Sequence, residues 1–372
     1  MMHRFAKRYF DETKVIFIAM KIFDGHNDVL SKLYALGPGS EGEFFKPGAD
    51  RHIDLSRAGK GNFGGGFFAI FVSPHPSTEW WSMEKALTFT EDGYRVRMPP
   101  ALNLGYAQQT AMGMMALLFR IEDESNGQVK IVRSFSELKE CLESGVLAAV
   151  MHFEGAEPVD ENFEALEVFY QAGLRSVGIT WSRPNIFGRG VPMRFPSTPD
   201  HGPGLTEAGR RLVKACNRMG IVVDCAHLNE KGFFDVAKIT DKPLVVTHSA
   251  AHALTPSARN LTDRQLDALG ESGGIVGVNF FVGDLRPDGK FETDTPLEMI
   301  VRHISYVAER IGIDHVAFGS DFDGAYISDE LKDVAGLPKL IKCLREEGFG
   351  KEDVEKIARR NWLRILKNTW RK

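Results

Sequence analysis

The sequence predicts an α/β protein of the (β/α)8 TIM-barrel class, and three observations carry that reading. Short runs rich in β-branched and aromatic residues alternate with longer segments of helical period, a pattern that calls for parallel strands joined by helices. About eight such runs can be counted, enough to close a barrel. Side chains of metal-ligand type gather just after the ends of these runs, where barrels of this class build their active sites. A doubly wound open sheet is the alternative that the same alternation permits.

In chain order the predicted strands are 21–24, 66–72, 148–153, 176–180, 221–225, 244–247, 274–280 and 315–319. Segment 161–172 places Phe163, Leu166, Phe169 and Tyr170 on one helical face. A helix over 206–219 follows a Pro-Gly turn, and Thr262 with Gln265 forms a capping-box signature opening a helix to about residue 271. A helix over 296–311 begins with proline, tolerated in a first turn, and 351–367 is the last helix. Two stretches break the repeat. Segment 80–104 is long and mixed, with a helix continuing from about Asn103 into the 120s. Segment 183–203 holds five prolines and several glycines and reads as an irregular loop. The expected organisation is an N-terminal extension over 1–20 and one catalytic domain over 21–372 with inserted loops.

Composition narrows the function classes. Hydrophobic residues at 43% and charged residues at 26% are ordinary for a soluble globular protein. The net charge of −4 has no basic block within it, which argues against a nucleic-acid partner. An apolar run at 15–20, between Lys14 and Lys21, is too short for a signal-peptide core or a membrane helix. The reading is therefore a soluble, non-exported protein without a membrane partner. Cys141, Cys216, Cys225 and Cys343 form no C-x-x-C pair. Reduced, mostly buried thiols and a cytoplasmic location are expected. Gly64-Gly65-Gly66 precedes the second predicted strand and gives no dinucleotide fingerprint; there is also no G-x-S-x-G elbow.

The candidate site residues come from the strand ends. His26 and Asp28, two apart, share a face of extended chain and can bind one ion, although H-x-D alone is equally compatible with a structural turn. Glu154 closes a hydrophobic strand, where a carboxylate must be solvated, paired or metal-bound. His227 and His248 end consecutive strands, so their rings should lie side by side. Trp181 follows the fourth strand, and His152 is a structural neighbour of Glu154. After the eighth strand Asp321 is the candidate proton carrier and Asp323 the turn former. Three imidazoles and two or three carboxylates suffice for two zinc-type ions sharing one carboxylate, with manganese or iron open as alternatives. Such a pair can deliver a bridging hydroxide and polarise a carbonyl.

Taken together the motifs D-G-H-N-D (24–28), E-G (154–155), D-C-A-H (224–227), T-H-S (247–249), R-N-L-T-D (259–263), V-N-F (278–280) and G-S-D-F-D-G (319–324) resemble the membrane (renal) dipeptidase family, a zinc branch of the amidohydrolase superfamily. The resemblance runs from Asp24 to about Leu366. It implies that His26 and Asp28 hold one zinc, His227 and His248 the other, and that Glu154 bridges both. It implies further that Asp321 passes a proton to the leaving amine and that Arg259 binds the substrate's terminal carboxylate. The family's usual histidine after strand four is Trp181 here, and its tyrosine after strand seven has no counterpart near Phe281.

The functional expectation is a zinc-dependent dipeptidase acting on a small-molecule substrate. Trp181 and the proline-rich segment motivate two alternatives: a hydrolase of another amide, such as an N-acyl amino acid or a lactam, and a metal-stabilised binding protein with little catalysis. A homodimer is compatible with the sequence. Phe67, Phe68 and Phe71 could serve either a subunit interface or the core, and core packing is the preferred reading.

Overall fold

Eight parallel strands form the barrel of the computed structural model, which describes residues 20–371 except 76, 77 and 79–81, and a short ninth, Val129–Ile131, pairs parallel with one of them outside the ring. The N-terminal extension and its apolar run thus lie outside the described residues, save Met20. The strands are β1 (Ile22–Asn27), β2 (Phe63–Ile70), β3 (Leu147–Phe153), β4 (Leu174–Gly178), β5 (Val222–Asp224), β6 (Val245–Ser249), β7 (Ile275–Val278) and β8 (Val316–Phe318). They are hydrogen-bonded side by side in that order. Closure from β8 back to β1 comes at the rim: Asp321 N donates to His26 O (3.0 Å) and Asp28 N to Phe322 O (2.7 Å). The Asp24 carboxylate, buried in β1, adds two bonds from Ser320, N and Oγ, both 2.7 Å. The barrel expected from the sequence is therefore the one formed, and the open-sheet alternative is set aside.

The strand interiors explain the packing. Phe23, Phe67, Val150, Val222, Val245, Ile275 and Ala317 point inward from seven strands, and Trp362 plugs the same cluster. Trp362 Nε1 donates to Phe318 O at 2.9 Å, so its one polar atom is satisfied in the core. Phe67 and Phe68 are fully buried, as the core reading expects, whereas Phe71 is half-buried and lines a cavity instead. Gly64–Gly66 lie within β2, not ahead of it as the sequence reading had them. The reason is crowding: Gly65 has φ 146, and a side chain there would run into the Ala148 carbonyl of β3.

Helix boundaries follow their caps. Thr206 accepts from Gly209 N (3.0 Å) ahead of helix Glu207–Met219, Asn103 accepts from Gly105 N (2.9 Å) ahead of Leu104–Glu124, and Thr262 and Gln265 make the expected capping box for Asp263–Glu271. The final helical segment has a wider turn at Lys356–Arg360. A second sheet was missed by the sequence reading. Leu87–Thr90 and Gly93–Val96 form a hairpin, and Arg194–Phe195 pairs with it antiparallel. Its strands are two to four residues long, partly exposed and drawn from both irregular segments, so no periodicity marks them. Among the described residues no helix is long and apolar enough to cross a membrane.

Gly65→Ala should lower stability by about 2–4 kcal/mol, since it adds both strain and a backbone clash. Gly127→Ala, also at positive φ (79°) but with open space around it, should cost about 1 kcal/mol. Urea midpoints of the two variants check the difference, and equal losses would contradict the crowding argument.

Candidate metal centre

The rim of the barrel converges on Glu154. This residue follows β3, and its carboxylate reaches two groups of side chains. Glu154 Oε2 is 3.8 Å from His26 Nε2, which is itself 3.2 Å from Asp28 Oδ2. Glu154 Oε1 is 3.0 Å from His227 Nε2 and 3.7 Å from His248 Nε2. The two last nitrogens are 3.0 Å apart. Donor atoms on a shared tetrahedral ion, each about 2.0–2.1 Å from it, sit roughly 3.3 Å from one another, so each trio has the span such an ion needs. His26, Asp28 and Glu154 form one trio, and Glu154, His227 and His248 another. All five side chains are at least nine-tenths buried.

Neighbouring polar groups aim the rings. Asp224, at the end of β5, accepts from Thr247 N and Oγ1, both 2.8 Å. With its proton given to Asp224, Thr247 Oγ1 can accept from His248 Nδ1 at 3.0 Å. Ser182 Oγ lies 2.8 Å from His227 Nδ1. Both histidines are thereby held with Nε2 toward Glu154, the arrangement that second partners impose on ligating imidazoles. His152 packs edge-on to His26 with centroids 5.4 Å apart and pairs with Ser176 Oγ at 2.9 Å, a supporting position as read from the sequence.

The electrostatics favour cations here. Burial, reinforced by Arg259 and His26, pushes His227 well below the ordinary histidine range; burial with His26, His227 and Arg259 does the same to His248. That direction favours the neutral form, which ligation requires. Burial, together with Asp28 and Asp321, raises Glu154 well above the usual carboxylate range. His26 moves the other way from its histidine neighbours: burial opposes protonation, yet Glu154, Asp28 and Asp321 outweigh it and lift His26 to about 10. The crowded carboxylates thus draw positive charge into a largely buried site. Divalent ions answer the same demand, and the mixed N/O donors suit them.

Asp321 also lies on this rim, grouped with His26 and His248. Burial, with Asp28 and Asp284 adding to it, raises its carboxyl to about 7 against the pull of His26 and Arg259. Asp323 accepts from His52 N (2.6 Å) and Ile53 N (3.3 Å) and shapes the turn. Arg259 is buried beside the cluster, with Nη1 donating to Ala226 O and Nη2 to His248 O (3.4 Å). Trp181 stands over His227 with centroids 5.8 Å apart.

These residues open on one cavity of about 320 Å³, lined on its polar side by Asp28, Glu154, His227, Arg259 and Asp321. Phe71, Met83, Trp181, Met193, Phe281 and Phe291 supply apolar walls. Asp284 also faces it and was not singled out from the sequence. Its carboxylate accepts from Ser257 Oγ (2.7 Å) and Asn279 Nδ2 (3.1 Å). The available signal was an acid inside an apolar run after the seventh strand.

Comparison with known proteins agrees in sequence and shape. The family model described as membrane dipeptidase (peptidase family M19) matches residues 10–371. An uncharacterized protein from the pqqA 5′ region of Klebsiella pneumoniae is 50% identical over 69% of this chain and 94% of its own length. Dipeptidase tcpJ of Claviceps purpurea is 28% identical over 92% of this chain and 76% of its own. A Rhodobacter sphaeroides metallopeptidase, solved with a phosphinate mimic of the dipeptide L-Ala-D-Ala, superposes with a TM-score of 0.91 at 44% identity, covering 94% of this chain and 99% of that one.

Removing a ring-aiming hydroxyl should weaken metal binding without unfolding the barrel. Ser182→Ala and Thr247→Val are each expected to lose about 10–100-fold in affinity, read by competition with a chromogenic chelator, with an unchanged far-UV circular dichroism spectrum.

Proposed function

The chain belongs to the membrane dipeptidase family, peptidase family M19, and from that premise we propose that it is a dipeptidase whose His26, Asp28, Glu154, His227 and His248 hold two zinc ions. The observation that carries the reading is the two-sided Glu154, one oxygen toward His26 and the other toward His227 and His248. When bound, the metal pair supplies Lewis acidity toward a carbonyl oxygen and makes a water nucleophilic at neutral pH.

The chain's own groups do the rest. Asp321, with its carboxyl raised to about 7, can take up a proton and release it to the leaving amine within one turnover. Arg259 spends two N–H groups on the Ala226 and His248 carbonyls. A guanidinium has five, so a fork remains for the substrate's free carboxylate. Trp181 stands in the place of a histidine that would donate to the scissile carbonyl. An indole N–H can donate but cannot titrate, so this donor's strength is insensitive to pH. The apolar walls exclude water and accept the substrate side chains. The Rhodobacter sphaeroides relative, with its L-Ala-D-Ala mimic, supports small dipeptides, including those with a D-configured second residue.

A second reading keeps the chemistry and changes the substrate to an N-acyl amino acid or a lactam. The apolar wall of Phe71, Trp181 and Met193 is the observation in its favour. A panel of free dipeptides, N-acyl amino acids and lactams separates the two, and acylated compounds at the top of the panel would displace the dipeptidase reading.

Dialysis against a chelator should abolish turnover, and zinc should restore it. Asp321→Asn should lower kcat by about 10²–10⁴-fold with metal content retained. Arg259→Met should raise KM for free dipeptides and leave that for C-terminally amidated ones nearly unchanged. Equal losses on both substrates would remove the carboxylate-anchoring role.

A further inference from the structure

Trp181, Ser182 and Arg183 form a tight turn in which Arg183 N donates to Trp181 O at 2.7 Å. Its three side chains leave in different directions. Trp181 walls the cavity, Ser182 aims His227, and Arg183 turns back into the protein, 1% exposed. Arg183 Nε donates to Glu157 Oε1 at 2.7 Å and Nη2 to Val72 O at 2.7 Å. Its guanidinium carbon is 5.3 Å from the ring centroid of Trp181 and 5.3 Å from that of Phe71. Those two rings are themselves 5.0 Å apart at 54°. The guanidinium therefore sits against the junction of the two aromatic residues that form one wall of the cavity.

Glu157 is three residues beyond Glu154, on the same loop. Gly155 between them has φ 100, and a side chain there would strike the Glu157 carboxylate. The loop that delivers Glu154 to the metal centre thus also delivers the anion that fixes Arg183. A buried ion pair is weak evidence for stability, because desolvation cancels most of the attraction. What it does supply is geometry: a planar fork with two short bonds allows one orientation, and the aromatic rings are registered against it.

We propose that Arg183, through Glu157, is a positioning residue that fixes Trp181 and Phe71 as a wall and so sets which substrate side chains the cavity admits. The selectivity half rests on the dipeptidase reading; the positioning half does not. The test uses the zinc-loaded enzyme labelled with 5-fluorotryptophan. The Trp181 resonance is assigned by its loss in Trp181→Phe. Arg183→Met combined with Glu157→Met removes both charges together and replaces them with apolar groups of similar length, which buried pairs tolerate.

In that double variant the Trp181 line should shift or broaden while the Trp362 and Trp370 lines stay. The ratio of kcat/KM between a dipeptide with a bulky apolar side chain and alanyl-alanine should change about tenfold, through KM. Arg183→Lys, which keeps the charge but not the fork, should move the line as well. An unmoved Trp181 line in the double variant overturns the proposal, as does an unchanged ratio in an active enzyme. A merely structural role would lower the folded fraction and leave the line in place. Absence of dipeptide turnover in the parent enzyme would sink the dipeptidase reading alone, and the fluorine line would still decide the positioning role.

Discussion

Four carboxylates, those of Asp28, Glu154, Asp284 and Asp321, line one cavity at one end of the barrel, and the first three are buried. Left to themselves they repel, and burial alone would protonate them. Arg259 offsets one charge, and the elevated proton affinity of His26 shows how strongly the cluster attracts another. The rest of the fold can be understood as the means of holding this charge imbalance together. Divalent cations would offset the remaining negative charge and satisfy the ring nitrogens at the same time. A family of metallopeptidases is where such an imbalance belongs.

The barrel makes the convergence possible because adjacent strands deliver side chains to neighbouring rim positions. β5 and β6 are paired through Asp224 and Val245, which brings His227 beside His248. β8 closes onto β1 through Ser320 and Asp24, which brings Asp321 beside His26 and Asp28. Closure is therefore not only a matter of stability. The last hydrogen bonds of the barrel, from Asp321 N and Asp28 N, come from residues whose side chains sit in the cluster. Loosening the seam would move a carboxylate relative to the histidines.

Much of this was legible in the sequence. All eight strands were placed, because buried parallel strands are unbroken apolar runs and glycines or caps bound them. Ends were less exact: β1 runs to Asn27 and β6 to Ser249, so His26 and His248 lie within strands and not after them. A reading that stops at the last apolar residue cannot see that the ladder continues into the polar rim. Glu154 and the four residues around it were legible because each stands at a repeat position. Asp224, Thr247, Ser182 and Asp284 were not assigned roles, since their importance lies in which ring nitrogen or carboxylate they touch. The hairpin at 87–96 was hidden because its partner at 194–195 is a hundred residues away and only two residues long.

Trp181 links these levels. An imidazole at that position could accept, donate and titrate, and it would add a positive charge near His227 when protonated. Indole is larger, neutral and a donor only, so it shifts the site from adjustable acid–base chemistry toward a fixed shape. A large flat side chain gains selectivity only if its orientation is fixed, because a rotating indole would sweep out much of a cavity of about 320 Å³. Phe71 packs against it with ring centroids 5.0 Å apart, and His227 with centroids 5.8 Å apart. The guanidinium of Arg183, anchored at Glu157 and Val72, supplies a further contact from behind. The replacement of a titrating ring by a bulky donor and the buried ion pair behind it are thus parts of one arrangement. On the proposed reading, packing sets the selectivity for the substrate side chain, and proton transfer falls to Asp321.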